Sequence, residues 1–255
     1  GVVAGVGEGV SGFEPGQRVG IEAEHLLGCG ECRVCREDQY HLCPDRGVRH
    51  GIRQGSHGFS QYDICVAENV RPLPDSVSFD AAALVDCYAC GVHAVNRVPG
   101  LAGEAVAIIG AGAISLTLGQ VLKARDAGRV VLIGTRAQPV EVALAAGSAD
   151  IGVAISEHDP VGPVLDATGG EGAAVTFETV GGREQLVQQA VEMTRRGGVV
   201  SVLGLFTQPQ TIDPAVAMEK EIMLQWSNSF SSWNGESEFA TSLGLLTAGK
   251  LNPGP

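Results

Sequence analysis

The sequence predicts an α/β protein with a short β-rich N-terminal block and a larger block built on a parallel sheet. From about residue 103 to residue 250, apolar runs typical of buried strands alternate with helix-like stretches. Before residue 75, short β-like runs are broken by Gly and Pro and interrupted by a cysteine-rich loop. A glycine-rich turn after the first strand of the larger block indicates a doubly wound sheet of the Rossmann type.

Each element follows from a local pattern. The clearest strands of the larger block are four apolar runs, Ala105–Ile109, Val130–Ile133, Ala174–Phe177 and Val199–Leu203. The stretches with helical spacing between them are Ile114–Arg125, Val140–Ala146 and Arg183–Thr194. The β-like runs of the N-terminal block are Val2–Ala4, Arg18–Ile21 and Tyr62–Val66. Two further helical stretches, Phe79–Val85 and Cys90–Val98, join the blocks. We therefore expect a first domain over 1–75, a connecting segment over 76–102 and a dinucleotide-binding domain over 103–255.

Composition excludes several classes of function. The chain has 255 residues, of which 44% are hydrophobic, and a formal net charge of −12. This charge repels phosphate backbones and anionic membranes, so we expect no nucleic-acid or membrane partner. No signal peptide opens the chain and no apolar run reaches the roughly 18–20 residues of a membrane span, which favours a cytoplasmic protein. The chain lacks an initiator Met, and both ends look cut, so we expect a piece of a longer protein.

The cysteine-rich loop predicts a structural zinc site. Four of the seven cysteines fall within fifteen residues, in the spacing C-x2-C-x2-C-x7-C: Cys29, Cys32, Cys35 and Cys43. Two-residue gaps let a tight turn direct successive thiolates at one point, and the longer gap lets the chain return with a fourth ligand. Four protein ligands leave no position for water, so the zinc would be structural. Arg33, Arg36 and backbone N–H groups could offset the thiolate charge.

Two alternatives to zinc stay open at this point. Cys43-Pro44 resembles the end of a bacterial ferredoxin run, but such a run places its fourth Cys after three residues, where this chain has seven. Four unligated buried cysteines are the other alternative.

The glycine turn predicts a dinucleotide site. Gly110 and Gly112 follow the strand Ala105–Ile109 and precede a helix, with Ala113 and Ile114 in its first turn. Gly110 would make the tight turn, and Gly112 would let the backbone approach a pyrophosphate at the helix N-terminus. Ser115 occupies the third position of G-x-G-x-x-G and is small enough to keep the helix packed on the strand. An ordinary strand-to-helix turn is the alternative.

The end of the next strand favours NADP over NAD. An Asp or Glu usually stands here to bind the ribose 2′-hydroxyl of NAD, but this chain has Gly134, Thr135 and Arg136. The missing carboxylate removes repulsion against a 2′-phosphate, while Thr135 supplies a hydrogen bond and Arg136 a positive charge. NAD stays the alternative, with Arg136 stacked on the adenine or directed to solvent.

Taken together, these motifs resemble those of the zinc-containing medium-chain dehydrogenase/reductase family, specifically its alcohol, sorbitol and threonine dehydrogenases. The similar segments are GVVAGVGEGVSGFEPGQRV at residues 1–19, the Cys29–Cys43 loop, Pro72–Asp75, AAALVDCYACGVHAV at residues 81–95, and Gly134–Arg136. The resemblance covers essentially the whole chain. It implies a partial GroES-like β domain carrying the zinc lobe, followed by a Rossmann domain.

The resemblance also implies a catalytic zinc. Asp86 matches the family position that binds this zinc directly or through water, with the adjacent Cys87 as the other candidate and helix capping by Asp86 as the alternative. The family's remaining ligands of that zinc lie before the position of Gly1. We therefore expect the chain as it stands to be inactive and the full-length protein to be active.

The family's cofactor contacts imply further residues. Val180, together with Leu203, Gly204 and Leu205, would line the nicotinamide at the carboxyl ends of later strands. Glu178 would either face this crevice or serve packing.

The implied function is hydride transfer between NADP or NAD and a small-molecule secondary alcohol or polyol, in a homo-oligomer, either a dimer or a tetramer, when full length. A non-catalytic zinc- and nucleotide-binding fragment is the alternative. A zinc-free quinone reductase conflicts with the cysteine lobe.

Overall fold

The computed structural model describes residues 1–22, 28–46, 60–155 and 159–254. It divides the chain into two compact units. The first unit contains residues 1–89 and 229–248, and the second contains residues 90–228 and 249–255. The predicted boundary at residue 103 assigned the segment 229–248 to the dinucleotide-binding domain, whereas the structure groups it with the first unit. The predicted domains stay a prediction, which limited proteolysis would test.

The helices and strands follow in chain order. Those up to the end of the connecting helix are β1 (Val19–Ile21), α1 (Arg33–Arg36), β2 (Val70–Pro72), α2 (Phe79–Ala83) and α3 (Val85–Asn96). Those of the sheet region are β3 (Val106–Ile109), α4 (Ala113–Ala124), β4 (Val130–Gly134), α5 (Ala137–Ala145), β5 (Ile151–Ala154), α6 (Val161–Ala167), β6 (Ala173–Glu178), α7 (Val187–Met193), β7 (Thr194–Val202), α8 (Pro214–Glu219) and β8 (Met223–Trp226). The last are β9 (Ser232–Trp233), β10 (Glu236–Ser237) and α9 (Glu238–Thr247). Short 3-10 turns cover Tyr40–Leu42 and Ala67–Asn69.

The first unit is held by small antiparallel pairs and a compact aromatic core. β1 pairs with β2, and β9 pairs with β10. Phe230 and Phe239 are buried with their ring centroids 6.2 Å apart. The Ser237 hydroxyl accepts the N–H of Ala240 and thereby caps the N-terminus of α9. This cap starts α9 directly after the β9–β10 hairpin.

The second unit is a six-stranded parallel sheet in the order β5-β4-β3-β6-β7-β8. Numbered from β3, this is the order 3-2-1-4-5-6 of a Rossmann sheet, whose strand order reverses between β3 and β6. The carboxyl ends of these two strands therefore border the crevice where such sheets bind ligands.

Alternation along the central strands explains why helices cover both faces. Val106 and Ile108 belong to one apolar cluster, with α4 and α5, whereas Ala107 and Ile109 belong to the other, with α6 and α7. Successive side chains of a strand point to opposite faces, so an uninterrupted apolar run needs cover on both sides. The α/β class and the doubly wound sheet that the sequence predicts are confirmed.

Some predicted elements differ in the structure. Residues 62–66 are not a strand: Tyr62 and Ile64 are exposed, and the run has no ladder partner among the described residues. Val2 makes only an isolated bridge, with Arg18. The predicted helix over 183–194 begins at Val187, because the backbone of residues 182–186 bonds instead to the loop after β7. Within the described residues, every helix is too short or too polar to cross a membrane.

Candidate functional site

The four cysteines of the loop converge on one point. Their sulfur atoms all lie within 4.8 Å of one another, with Sγ–Sγ distances of 4.0 Å between Cys29 and Cys35 and 3.8 Å between Cys32 and Cys43. Zn–S bonds of about 2.3 Å in a tetrahedron require Sγ–Sγ distances of about 3.8 Å. A disulfide would need about 2.05 Å, and all four are free thiols. The donor set therefore fits a tetrahedral thiolate-bound metal such as zinc.

Backbone N–H groups stabilise the sulfur charge. The amides of Glu31 and Cys32 donate to Cys29 Sγ at 3.4 and 3.3 Å, and the amide of Cys29 donates to Cys43 Sγ at 3.3 Å. The Glu31 and Cys32 donors lower the pKa of Cys29 to about 7, whereas burial raises the pKa of Cys35 to about 12. A metal is therefore needed to hold all four sulfurs as thiolates at neutral pH.

That Arg33 and Arg36 offset the thiolate charge stays a prediction. Arg33 Nη1 bonds to Glu37 Oε2 at 2.5 Å, and Arg36 Nη1 bonds to the Glu31 carbonyl oxygen. These hydrogen bonds of the two guanidinium groups go to oxygen atoms, whereas backbone amides donate to the sulfurs.

A buried carboxylate anchors this zinc lobe, defined as residues 28–43. Glu22 is fully buried and accepts hydrogen bonds from Tyr40 Oη at 3.1 Å, Arg71 Nη2 at 2.9 Å and Ser237 Oγ at 3.0 Å. Burial raises the pKa of Glu22, and the Arg71 guanidinium opposes this rise. The lobe is thus tied to β2 and to the start of α9 through one side chain. Sequence reasoning missed Glu22, because its partners lie up to 215 residues away.

The glycine turn lies at the carboxyl end of β3, as the dinucleotide interpretation requires. Gly110 has φ +125°, a conformation that favours glycine. Gly112 is the exposed N-cap of α4, and Ala113 and Ile114 begin the helix. The N-terminus of α4 therefore faces outward at the edge of the sheet, in the position where Rossmann folds bind pyrophosphate.

The end of β4 presents an exposed cation and no carboxylate. Gly134 is buried, and a Cβ there would lie 2.8 Å from both Ala111 Cβ and Val140 Cγ2. Thr135 and Arg136 are exposed, and the described residues offer Arg136 no hydrogen-bond or ion-pair partner. This edge therefore suits an anion, and a side chain at position 134 would require its neighbours to move.

Two loops meet beside the glycine turn, at the carboxyl ends of β6 and β7. Gly182 N–H donates to the Leu205 carbonyl at 2.9 Å, and Thr207 N–H donates to the Gly182 carbonyl at 2.9 Å. Val180 and Leu205 are 50% and 85% exposed, which leaves two apolar side chains uncovered. Leu203 and Gly204 are half-buried beneath them. The four predicted nicotinamide contacts thus lie together on one edge of the second unit.

Glu178 supports these loops from inside. It is fully buried, and its Oε1 accepts the N–H groups of Val180 at 2.7 Å and Gly181 at 2.8 Å. Its Oε2 has no hydrogen-bond partner in the part of the chain that the structure describes. Burial raises the pKa of this carboxyl, while the backbone N–H groups of Gly181, Val180 and the nearby Gly204 oppose the rise. Its hydrogen bonds to the Val180 and Gly181 N–H groups favour the packing role of the two roles considered for Glu178.

Asp86 lies outside the metal cluster. It is exposed in the first turn of α3, and the four-cysteine group is the one cluster of three or more ligand-type side chains found among the described residues. Burial, with the nearby Asp86 charge, raises the pKa of Cys87 and disfavours its thiolate. The assignment of Asp86 as a ligand therefore stays a prediction.

A Rossmann crevice with an adjacent cationic edge, together with four cysteines that fit a metal, defines a class of protein with one site suited to a dinucleotide and another suited to a metal. Comparison with known proteins specifies the class further. Residues 113–248 match the family described as zinc-binding dehydrogenase, and residues 1–75 match the alcohol dehydrogenase GroES-like domain. The chain belongs to the zinc-containing medium-chain dehydrogenase/reductase family, as its sequence motifs predict.

Similar proteins include two named dehydrogenases. Sorbitol dehydrogenase of Bacillus subtilis (strain 168) is 34% identical over 209 residues, which cover 82% of this chain and 58% of that protein. L-threonine 3-dehydrogenase of Pyrococcus horikoshii is 32% identical over 256 residues, covering 100% of this chain and 71% of that protein. Among solved structures, a protein assigned as a zinc-binding dehydrogenase from Sinorhizobium meliloti 1021, bound to NADP, has a TM-score of 0.82 and 26% identity. That match covers 98% of this chain and 71% of that one.

Proposed function

We propose that this chain is the zinc-lobe and cofactor-binding part of an oxidoreductase that transfers a hydride between NADP or NAD and a secondary alcohol or polyol. The observation that carries the proposal is the Rossmann crevice, where the glycine turn, the exposed N-terminus of α4 and the apolar pair Val180 and Leu205 border one edge. The similarity to sorbitol and L-threonine dehydrogenases supports the substrate class.

Different residues of the chain would bind the zinc, the pyrophosphate and the nicotinamide. Cys29, Cys32, Cys35 and Cys43 would hold a structural zinc, which supplies a fold constraint to the first unit and no chemistry. The N-terminus of α4 would bind the pyrophosphate, and the apolar pair would exclude water from one face of the nicotinamide. The described residues do not form a site for a catalytic zinc, so we derive no step through one.

We propose NADP as the preferred cofactor. Arg136 is exposed and lacks a protein partner among the described residues, and no acidic side chain stands at position 134. A guanidinium binds phosphate through two parallel hydrogen bonds, so it favours a 2′-phosphate over a 2′-hydroxyl. The NADP bound to the Sinorhizobium meliloti protein supports the same choice.

The first test is a fluorescence titration of the protein with NADPH and with NADH. We expect tighter binding of NADPH, and we expect Arg136→Ala to weaken NADPH by about tenfold, because a charged hydrogen bond contributes about 1.5–3 kcal/mol. NADH binding should change less than about twofold. Arg125→Ala, which removes an exposed arginine at the opposite end of α4, is the matched control.

Two results would overturn these proposals separately. Equal loss of NADPH and NADH binding in Arg136→Ala would remove the NADP preference alone. No binding of either nucleotide to the parent protein would remove the dehydrogenase proposal.

We retain a second candidate function, because Asp86 lies outside the one metal cluster found among the described residues. On this alternative the chain is a non-catalytic zinc- and nucleotide-binding module. Turnover of sorbitol or L-threonine with NADP by the full-length protein separates the two: a measurable rate supports the enzyme, and binding of zinc and nucleotide without turnover supports the module.

We also propose a cytoplasmic homo-oligomer, a dimer or tetramer when full length, without nucleic-acid or membrane partners. The free thiols of the zinc lobe favour a reducing compartment. The net charge of −12 disfavours polyanionic partners. Met223 and Trp226 on the edge strand β8 are 58% and 57% exposed, which supports association through that edge. Light scattering after size-exclusion chromatography would measure the oligomeric state.

A further inference from the structure

A serine stands where the dinucleotide fingerprint has its third glycine, and its hydroxyl is engaged. Ser115 is 1% exposed, and its Oγ lies 2.7 Å from Thr179 Oγ1 and accepts the Gly112 N–H at 3.2 Å. Thr179 is the first residue after β6, and its hydroxyl donates to the Ile109 carbonyl at 2.7 Å. The two hydroxyls therefore bridge segments 64 residues apart in the chain.

The direction of the central hydrogen bond follows from the count of hydrogens. A hydroxyl carries one hydrogen, and that of Thr179 is used on the Ile109 carbonyl. Ser115 must therefore donate to Thr179. The result is one directed chain that runs from the Gly112 N–H through Ser115 and Thr179 to the Ile109 carbonyl, with every donor satisfied.

This chain of hydroxyl groups packs against the glycine turn at Gly110. It joins the end of β3, the first turn of α4 and the loop after β6. A Cβ at Gly110 would lie 2.4 Å from Thr179 Oγ1 and 2.8 Å from Ser115 Oγ. The turn thus has little room to move while both hydroxyls are in place.

The same loop after β6 is held from its other side by Glu178. The Glu178 carboxyl binds the N–H groups of Val180 and Gly181, the residues that directly follow Thr179. Val180 is one of the two exposed apolar side chains on this edge. A shift of Thr179 would therefore shift the surface that the proposed nicotinamide would contact.

We propose that Ser115 and Thr179 are a coupled pair of positioning residues. The pair holds the pyrophosphate-binding turn and the loop beneath the nicotinamide at a set separation, so that one dinucleotide contacts both. This inference rests on the proposed nucleotide-binding function of the second unit. Both hydroxyls are engaged inside the protein, so we assign the pair a positioning role and not a direct contact with the cofactor.

The test is a double-mutant cycle on nucleotide affinity, with Ser115→Ala, Thr179→Val and the double variant. Each substitution breaks the same chain: Ser115→Ala removes the acceptor of the Gly112 N–H, and Thr179→Val removes the acceptor of the buried Ser115 hydroxyl. We expect each single variant to weaken binding of NADPH or NADH, whichever the parent prefers, by about tenfold. The double variant should be weakened by little more than either single variant.

A fragment of the cofactor separates positioning from general damage. The adenine-side half alone, 2′,5′-ADP for NADPH or ADP for NADH, lacks the nicotinamide and so cannot use the proposed contacts at Val180 and Leu205. Its affinity should change by less than about twofold in all three variants. Thr179→Ser keeps the hydroxyl and should restore the parent affinity for the whole dinucleotide.

Thr168→Val is the control for the loss of a structural hydroxyl. Thr168 precedes β6, bonds the Val164 carbonyl at 2.8 Å and accepts the Gly172 N–H at 2.9 Å, at the end of the strand opposite Thr179. It should lower the melting temperature and leave the affinity ratio of dinucleotide to fragment unchanged. Melting curves without nucleotide establish that each variant is folded.

Two outcomes overturn the inference. An unchanged ratio of dinucleotide to fragment affinity in Ser115→Ala and Thr179→Val would show that the pair does not position the cofactor. Effects that multiply to about a hundredfold in the double variant would show that the residues act independently. A parent that binds no dinucleotide at all overturns this inference together with the proposed function, whereas the first two outcomes leave that function standing.

Discussion

Individual buried polar side chains determine the geometry of both proposed sites. Glu22 collects three donors from distant segments, and Glu178 collects two backbone N–H groups from one turn. Burial of a carboxylate is unfavourable unless hydrogen bonds satisfy it. The donors of each of these residues are therefore held at hydrogen-bonding distance from its carboxyl group. The role of neither residue could be predicted from the local sequence pattern. Glu22 depends on long-range contacts, and the sequence allowed either of two roles for Glu178.

Glu178 makes stability depend on pH in a predictable direction. Its folded-state pKa is raised above the ordinary value of 4.5 by burial. The stability that it contributes is therefore present below that value and is lost as pH rises through the folded pKa. We expect Glu178→Gln, which keeps an oxygen for the two N–H donors, to gain stability relative to the parent as pH rises above 4.5.

Urea unfolding of both proteins across this pH range measures the difference, and the titration of Glu22 cancels because both proteins carry it. Glu178→Ala is the companion variant: it leaves two N–H groups without an acceptor and should cost roughly 2 kcal/mol at low pH, where the parent carboxyl is protonated, and this cost should shrink as the parent carboxyl ionises at higher pH. A parent-to-Gln difference that is constant with pH would contradict the prediction.

Among the elements, those with strong local signals were predicted and those defined by distant partners were not. β3, β4 and β6 are continuous apolar runs buried on both faces, and their positions agree with the predicted ones to within one residue. The edge strands β5 and β8 are only half-buried, so their apolar pattern is weaker and the sequence did not single them out. The four-cysteine convergence was predictable because ligand spacing is itself local. The hydroxyl chain of Ser115 was not, since its partner Thr179 follows three intervening strands in the sequence.

The 3-10 turn at Tyr40–Leu42 links the metal loop to the rest of the first unit. Tyr40 Oη donates to the buried Glu22 carboxylate, so Tyr40→Phe should lower stability by about 1–2 kcal/mol. We expect zinc transfer to a coloured chelator to become several-fold faster, because the loop then opens more often. Tyr62→Phe, with a ring that is 79% exposed, should release zinc at the parent rate. Equal rates for Tyr40→Phe and the parent would show that the loop holds its metal without this anchor.

At the scale of the whole molecule, the two units depend on different forces. The second unit has two extensive apolar clusters, one on each face of its sheet. The first unit has short strands and a small core, so a bound metal would contribute a large share of its folding free energy. The sequence predicted the division into a metal-binding and a nucleotide-binding part. That residues 229–248 belong to the first unit is evident only from their contacts in the folded structure.

We therefore expect loss of zinc to affect the units unequally. The parent should contain one zinc per chain by elemental analysis, and Cys32→Ser should contain little. The chain has two tryptophans, Trp226 in the second unit and Trp233 in the first. In Cys32→Ser, fluorescence of Trp233 in a Trp226→Phe background should report unfolding at lower temperature, while Trp226 in a Trp233→Phe background should report nearly the parent transition. Iron with visible colour in the parent would favour the iron–sulfur alternative, and a common transition for both probes would contradict independent units.

Residues 229–248 belong to the first unit but are synthesised after most of the second unit, and this order affects folding on the ribosome. Ser237 bonds Glu22 across 215 residues, so the first unit stays incomplete until residues 229–248 have emerged. Translation at about 5–20 residues per second makes this delay on the order of ten seconds after Ala89. During that interval nearly all of the nucleotide-binding unit has been made and can fold, whereas the nascent zinc lobe is exposed to cellular metal, oxidants and chaperones. Metal capture by the four cysteines during translation would protect the lobe over this period.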